Sequence, residues 1–333
     1  MDLDAFVSEH GAEWNRLQML SGKRRRKLTA SEVDELVVLY RRSATHLSVV
    51  RSRSADPTLV AWLSRLVLQA RAAVSPSSGF SIAAVGRFCT VSFPLEVFRA
   101  LRWWVGVAVG FIVLSGVLIT TVANDPRIAL AFMSQDEIDS LVRKDFEAYY
   151  SANAPQNFAT LVWTNNAYVS AISLAGGAII LPALYLLWTN ALNLGLVGGV
   201  MVANGRSDTF FGLILVHGML ELTCVFIAAG VGLRIGWSWI APGPLRTRTQ
   251  AFAETGRAGM VVALGLAAPL FVSGGVEAFV TPLPLLIAVK LAIGALVWLS
   301  FLAYIGYFGL RATLAGQSAD VAAHERETPA PAV

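Results

Sequence analysis

A stretch of 58 residues without a charged side chain, Ala148 to Gly205, is the feature that most limits what this chain can form. Trp103–Ala123 carries no charge either, and Thr209–Leu233, Ala258–Val280 and Leu283–Leu310 carry one or two ionisable side chains each. A helix needs about 20 mostly apolar residues to cross a hydrocarbon layer about 30 Å thick. Only 14% of the chain is charged, against about 25% in soluble domains. These stretches therefore predict a membrane protein.

The predicted fold class is an all-α polytopic membrane protein with a helical N-terminal domain. The third predicted span is short and rich in glycine, so it could instead be a re-entrant half-span, which would leave five crossings. The six predicted spans are 103–123, 163–187, 190–204, 209–233, 258–280 and 284–310.

The distribution of basic residues predicts the orientation of the chain. Residues 1–102 hold 15 basic and 9 acidic side chains, residues 124–147 hold 3 and 6, and residues 234–257 hold 4 and 1. Because cytoplasmic segments are enriched in Lys and Arg, both termini are expected in the cytoplasm and the 124–160 loop outside it. No apolar stretch lies near Met1, so we expect no cleaved signal peptide, and the first span is expected to act as an uncleaved signal.

Three domains are predicted from these patterns. Residues 1–102 form a cytoplasmic helical domain that ends in an interfacial helix from Phe93 to Trp104. Residues 103–311 form the transmembrane domain, and residues 312–333 form a disordered tail.

Local signals predict helix starts within the N-terminal domain. Thr29-Ala30-Ser31-Glu32 fits a capping box, and Asp56-Pro57 fits an N-cap followed by proline in the first helical turn. In the outer loop, the apolar spacing over Ser134–Tyr150 predicts an amphipathic helix that lies on the outer face or contacts a partner.

A basic run precedes the second predicted helix. It is either a solvated loop or a segment attracted to anionic lipid, and no interleaved aromatic residues suggest binding to nucleic acid. The run is Lys23, Arg24, Arg25, Arg26 and Lys27.

Ionisable residues inside predicted spans are functional candidates, because a charge at the bilayer centre is costly. His217 and Glu221 are four residues apart and share a helix face. They could line a pocket for a proton, an ion or a polar headgroup, or they could satisfy each other. Glu277 could join them, or could form an ion pair with Lys290 across the tight connection between their spans. The other polar candidates for the pocket are Asn165, Asn166, Asn190 and Asn193.

Catalytic and metal signatures are weak. One His and one Glu on a helix are too few for a zinc site with three protein ligands, and two cysteines, Cys89 and Cys224, build no cysteine site. The chain carries no P-loop and no nucleophile elbow. We therefore predict no enzyme, no cofactor and no resident metal, with an intramembrane hydrolase as a minor alternative.

Four blocks in order resemble the stage II sporulation protein M (SpoIIM) family, most strongly over residues 157–282. A departure is Val216, where the family usually has proline, so a kink expected there is in doubt. The N-terminal domain, with Trp14 and Leu39-Tyr40-Arg41, is similar to the long form found in non-sporulating bacteria. The four blocks are Trp163–Asn166, Asn190–Gly195, His217–Leu233 and Glu277–Pro282.

The resemblance implies a polytopic inner-membrane protein. In endospore formers the family acts in engulfment, in a complex with cell-wall-degrading partners. In actinobacteria, with which the high Ala, Gly and Arg content is compatible, it implies an envelope role beside an AAA+ ATPase, a von Willebrand-type protein and an RDD membrane protein.

Two hypotheses for function follow. The first is a scaffold that binds envelope proteins, in which the polar residues inside the predicted spans are architectural. The second is a transporter or headgroup flippase that uses these residues to bind its substrate. The expected partners are membrane lipids, envelope proteins and a second copy of the chain, but no nucleic acid.

Overall fold

The computed structural model describes residues 3–23, 28–53, 56–74, 82–145 and 155–319. Every regular element in these ranges is a helix, which confirms the all-α prediction. The chain divides into two compact units, Met1–Ile82 and Ala83–Val333, called here the N-terminal unit and the membrane unit. The domain boundaries drawn from the sequence stay a prediction.

The N-terminal unit consists of three helices, α1 (Leu3–Gly22), α2 (Ala30–Arg53) and α3 (Pro57–Val74). Their apolar faces close on one core, which gives the unit its own hydrophobic interior. The most deeply buried members of this core are Trp14, Leu17, Leu20, Leu36, Val50, Leu63 and Ala70.

The predicted helix starts of this unit are confirmed. The Thr29 backbone N–H donates to Glu32 Oε2 at 3.0 Å, and the Glu32 N–H donates to Thr29 Oγ1 at 3.3 Å, which completes the capping box. Before α3, the Thr58 N–H donates to Asp56 Oδ1 at 2.8 Å. The side chains thus satisfy N–H groups that have no partner inside the helix.

One end of the basic run is anchored to this cap. Lys23 Nζ lies 2.7 Å from Glu32 Oε1. Its hydrogen bond to the carboxylate, together with the Thr29 N–H, lowers the pKa of Glu32 to about 2. Residues 24–27 lie outside the described residues, so lipid attraction by the run stays a prediction.

A cluster of rings joins α1 to α2. Trp14 Nε1 donates to His46 Nδ1 at 3.2 Å, and the rings of His10 and His46 stack with centroids 4.0 Å apart. Partial burial of His46, and then the neighbouring His10, hold the pKa of His46 below its usual value of 6.5. Protonation of His46 therefore opposes the contact between the two helices.

We expect acid to loosen the N-terminal unit. The folded state binds a proton at His46 less readily than the unfolded state, so this stability is present above about pH 6.5 and declines as the pH falls below it. Hydrogen exchange of α1 and α2 in the full chain, corrected for intrinsic rates, should show weaker protection at pH 5 than at pH 7.5. His46→Gln should flatten this dependence, and an unchanged slope in that variant would contradict the assignment.

The membrane unit holds the rest of the described chain. Its helices are α4 (Ile82–Arg87), α5 (Phe93–Arg99), α6 (Leu101–Asn124), α7 (Pro126–Leu130), α8 (Gln135–Ser140), α9 (Pro155–Gly177), α10 (Leu181–Ala203), α11 (Ser207–Ile240), α12 (Arg248–Phe279) and α13 (Ile287–Leu314). Five of them, α6 and α10 to α13, are long and apolar enough to cross a membrane. The count of six crossings stays a prediction that depends on α9.

The second and third predicted spans have the wrong boundary. The chain breaks at Ala178–Ile180 instead of near residue 188, so α10 is a full helix of 23 residues and not a short half-span. Gly176 and Gly177 end α9, and Pro182 lies in the first turn of α10, where its missing N–H costs nothing. Ile180 between them has φ of 71°. The prediction relied on apolar content and overlooked the glycines that end α9 and the proline that begins α10.

Both ends of the membrane unit meet at one side. Arg99 Nη2 donates to the carbonyl of Gln317 at 3.0 Å, and Arg87 Nη2 donates to that of Ser318 at 3.3 Å. The start of α6 and the end of α13 therefore lie together, as the predicted topology requires. That this end faces the cytoplasm stays a prediction. Of the predicted tail, residues 320–333 lie outside the described residues.

Part of the predicted interfacial segment lies in the core of the membrane unit, and its depth in a bilayer stays a prediction. Phe93 and Val97 of α5 lie in the core of the membrane unit with Leu220 and Cys224. The Phe93 ring contacts the backbone of Gly265 directly, and a Cβ at position 265 would overlap the ring. The segment therefore contacts helices rather than lipid on this face.

The outer loop begins as predicted. Ser134 caps α8 in a reciprocal box with Glu137, whose pKa is lowered by the Ser134 backbone and side chain. Ile138 packs with Val122 and Val200, which fixes the helix to α6 and α10. The chain continues as a π-helical turn over Leu141–Asp145, and residues 146–150 lie outside the described residues.

Backbone contacts without intervening side chains join α11 to its neighbours. A Cβ on Gly232 would lie 2.6 Å from the Leu174 carbonyl oxygen and 2.8 Å from that of Ser173, both in α9. Membrane helices approach this closely only where small residues meet, because lipid provides no hydrophobic drive for association.

Adding one methyl group at this contact should destabilise the membrane unit. We expect Gly232→Ala to cost about 1–3 kcal/mol through overpacking. Gly116→Ala in α6 is a matched control, since a Cβ there meets nothing within 4 Å and alanine favours the helix. Thermal unfolding in detergent measures both variants. Equal melting temperatures for the two would contradict the close approach.

Candidate intramembrane polar site

Three helices bring the predicted polar residues together. His217 and Glu221 lie one turn apart on α11, and Glu277 lies near the end of α12. The Asn166 side chain of α9 lies beside the Glu221 carboxyl group. We call these four residues the polar cluster.

The polar cluster is compact and buried. His217 Nε2 lies 3.7 Å from Glu277 Oε1, and the exposed fractions of these two side chains are 9% and 6%. One ligand-type atom each from His217, Glu221 and Glu277 lies within 4.8 Å of the others. Glu277 is buried and Glu221 is half-buried, so two carboxylates this close are stable only if a proton or another cation offsets the negative charge.

Neighbouring hydrogen bonds hold the backbone of the polar cluster in place. Ser273 Oγ of α12 donates to the His217 carbonyl at 3.1 Å. Two residues after Glu221, Thr223 Oγ1 accepts from Trp298 Nε1 of α13 at 3.0 Å. Trp163 Nε1 of α9 donates to the Ala267 carbonyl of α12 at 3.1 Å. The sequence reasoning missed these roles of Ser273, Thr223 and Trp298, because a Ser or Trp in an apolar span shows no pattern for its partner.

Three predicted members lie outside the polar cluster. Asn165, Asn190 and Asn193 are exposed on the membrane unit. Asn190 Nδ2 donates to the carbonyl of Leu186 in its own helix at 2.8 Å. Asn190 and Asn193 face outward because the opposite, small-residue face of α10 packs on α6. There, Gly195 contacts Leu118 and Gly199 contacts Val122.

The expected ion pair between Glu277 and Lys290 is not formed among the described residues. Lys290 Nζ donates to the Thr281 carbonyl at 2.7 Å, while Glu277 faces His217. Thr281 lies two residues beyond the last residue of α12, so the lysine on the next helix binds a carbonyl just past that end and meets the negative end of the helix dipole. The orientation of α12 about its own axis points Glu277 toward His217 in the polar cluster.

The donor set is larger than the sequence analysis assumed. His217 and Glu221 alone are too few for a metal site with three protein ligands. Glu277 adds a second carboxylate from another helix, so an imidazole nitrogen and two carboxylate oxygens converge. The arrangement can hold a cation or share protons between its three side chains.

A double-mutant cycle tests this pairing. We expect Glu277→Gln and His217→Gln to couple by about 0.5–3 kcal/mol in unfolding free energy, because the side chains are in contact. Glu277→Gln and Lys290→Gln should add within about 0.5 kcal/mol, because each has a different partner. Unfolding in detergent provides all six free energies. A larger coupling of Glu277 with Lys290 than with His217 would contradict this pairing and support the Glu277–Lys290 ion pair.

Comparisons with known proteins match two parts of the chain. A family model described as stage II sporulation protein M (SpoIIM) matches residues 100–282, which include the whole polar cluster. A second model, described as a domain of unknown function (DUF8413), matches residues 4–75 of the N-terminal unit. Neither a curated protein nor a solved structure matches the chain.

Proposed function

We propose that this chain, which belongs to the stage II sporulation protein M (SpoIIM) family and is an integral membrane protein, is a scaffold of a cell-envelope complex. In this proposal it lies in the bacterial cytoplasmic membrane with both termini in the cytoplasm. Its membrane unit provides a rigid base, and its N-terminal unit offers surfaces to envelope partners. The proposal assigns no catalytic step to the chain.

The observation that carries the proposal is that the side chains of the polar cluster are paired by contacts between helices. Glu221 meets Asn166, and Glu277 meets His217. Two cavities of about 530 and 370 Å³ in the membrane unit are lined by other residues. A polar contact between packed membrane helices stabilises their association and fixes their register. A scaffold needs such fixed geometry.

The family context supports the same proposal. The resemblance implies work in multi-protein assemblies, with wall-degrading partners in endospore formers and envelope proteins elsewhere. The N-terminal unit has a hydrophobic core of its own, so its outer surface is free to bind partner proteins.

A second candidate is cation transport, and the polar cluster itself favours it. Two carboxylates and an imidazole within 4.8 Å of one another resemble the charge-compensating sites of proton and ion carriers. Transport requires that the polar cluster exchange its cation with water, whereas a scaffold requires only that the cluster stay paired.

One paired experiment separates the two functions. The tagged chain is extracted from its own bacterium in mild detergent, and its native particle is compared with that of the purified chain. The purified chain is also placed in vesicles with an internal pH-sensitive dye. For a scaffold, we expect a larger particle in the extract and proton flux no higher than in empty vesicles.

Variants sharpen this test. Glu277→Gln should lower thermal stability and the assembled fraction together if the polar cluster is structural. Glu9→Gln, an exposed carboxylate in the N-terminal unit, controls for the loss of one charge. A Glu277→Gln protein that assembles fully but loses a flux present in the unaltered chain would reject the scaffold and support transport.

A further inference from the structure

An arginine-lined cavity of about 370 Å³ lies at the end of the membrane unit where α5, α11 and α12 meet. Four guanidinium groups and two carboxylates line it. They belong to Arg99, Arg234, Arg246, Arg257, Glu96 and Glu254. None of these residues belongs to the polar cluster, and the proposed function uses none of them.

Ion pairs hold the cavity wall in a fixed arrangement. Glu96 is 5% exposed and meets two arginines, Arg99 at 3.0 Å and Arg234 at 3.7 Å. Arg246 Nη1 lies 2.9 Å from Glu254 Oε2. A buried carboxylate that orients two guanidinium groups reduces the loss of side-chain entropy when those groups bind a ligand.

The cavity keeps an excess of positive charge. Four arginines against two glutamates leave a formal charge of +2 on its wall. Planar guanidinium groups bind phosphate oxygens through paired N–H donors, which makes a phosphate group the anion best matched to this wall. The volume of about 370 Å³ is within the usual range for small-ligand sites.

Tryptophans place the cavity at the depth of lipid headgroups. Trp237 and Trp239 end α11 with about half of their surface exposed, and the Trp103 ring lies 6.2 Å from that of Trp237. Such rings are concentrated where hydrocarbon meets water. Arginines at this end of the helices are therefore expected at the depth of lipid phosphates.

An apolar groove lies beside the arginine-lined cavity. It measures about 530 Å³ and is lined by side chains of α6 and α10, with Arg102 and Trp103 at one end. Leu233 lines the groove and the next residue, Arg234, lines the cavity, so the two reach the same turn of α11 on faces about 100° apart. A charged cavity next to an apolar groove matches a molecule with an anionic head and a hydrocarbon tail.

We propose that the arginine-lined cavity binds the phosphate group of an anionic phospholipid headgroup. The site is separate from the polar cluster, and it stands whether the chain is a scaffold or a transporter. Free inorganic phosphate has the same oxygen chemistry but no tail for the groove, so the two sources can be told apart.

The test uses the full chain in mild detergent, with phosphatidylglycerol added stepwise and bound lipid counted by native mass spectrometry. The double variant Arg246→Gln, Arg257→Gln removes two charges from the exposed side of the cavity. Arg248→Gln, Arg311→Gln removes the same charge from exposed positions that do not line it. Thermal unfolding first confirms that both variants are folded.

We expect the cavity variant to bind phosphatidylglycerol roughly thirtyfold more weakly, from two lost arginines near headgroup phosphates. The control variant should bind like the unaltered chain. Equal losses in the two variants would show general attraction to basic charge and overturn the site. Equal binding of zwitterionic phosphatidylcholine, or stronger binding of inorganic phosphate than of lipid, would overturn the anionic lipid as its occupant.

Discussion

Close packing around α11 is the constraint on which the membrane unit depends. Helices α6, α9, α12 and α13 all pack on it. Inside a bilayer, apolar side chains gain nothing by leaving lipid for protein, so helices hold together through close backbone approach and polar contacts. Glycines on α11 and its partners provide the approach. Gly230 meets the backbone of Trp104, and Gly294 of α13 meets the carbonyl of Val216.

The polar cluster follows from this arrangement. A helix surrounded on several sides has no lipid-facing surface over much of its length, so His217 must contact a neighbouring helix. The contact is Glu277, and the carbonyl of His217 is held by Ser273 from the same helix. The small residues at the Gly294 contact and the polar side chains beside it therefore serve one purpose, which is to fix α11 against α12 and α13.

The two polar regions of the membrane unit differ in what balances their charge. The polar cluster carries two carboxylates and one imidazole, so it draws a proton or a cation. The arginine-lined cavity has more guanidinium groups than carboxylates, so it draws an anion. One lies within helices that can span the bilayer, and the other lies beside tryptophans at their ends. In the proposed scaffold, the polar cluster would fix the helices to each other and the arginine-lined cavity would bind them to a lipid leaflet.

Local sequence determined the helices, their caps and the membrane character of this protein. Apolar length, the Thr29–Glu32 and Ser134 boxes and proline at helix starts depend on residues a few positions apart, so they can be recognised without any partner. The break at Ala178–Ile180 carried the same kind of signal in Gly176, Gly177 and Pro182, and it was readable in principle.

Tertiary structure alone decided the rotation of each membrane helix, and with it the composition of the site. In a soluble helix the apolar stripe shows which face is buried, but a membrane helix is apolar toward lipid and protein alike. Asn166 therefore faces Glu221 while Asn165 and Asn193 face outward, and the three are equivalent by composition. For the same reason only the packed structure shows that Glu277 pairs with His217 instead of Lys290.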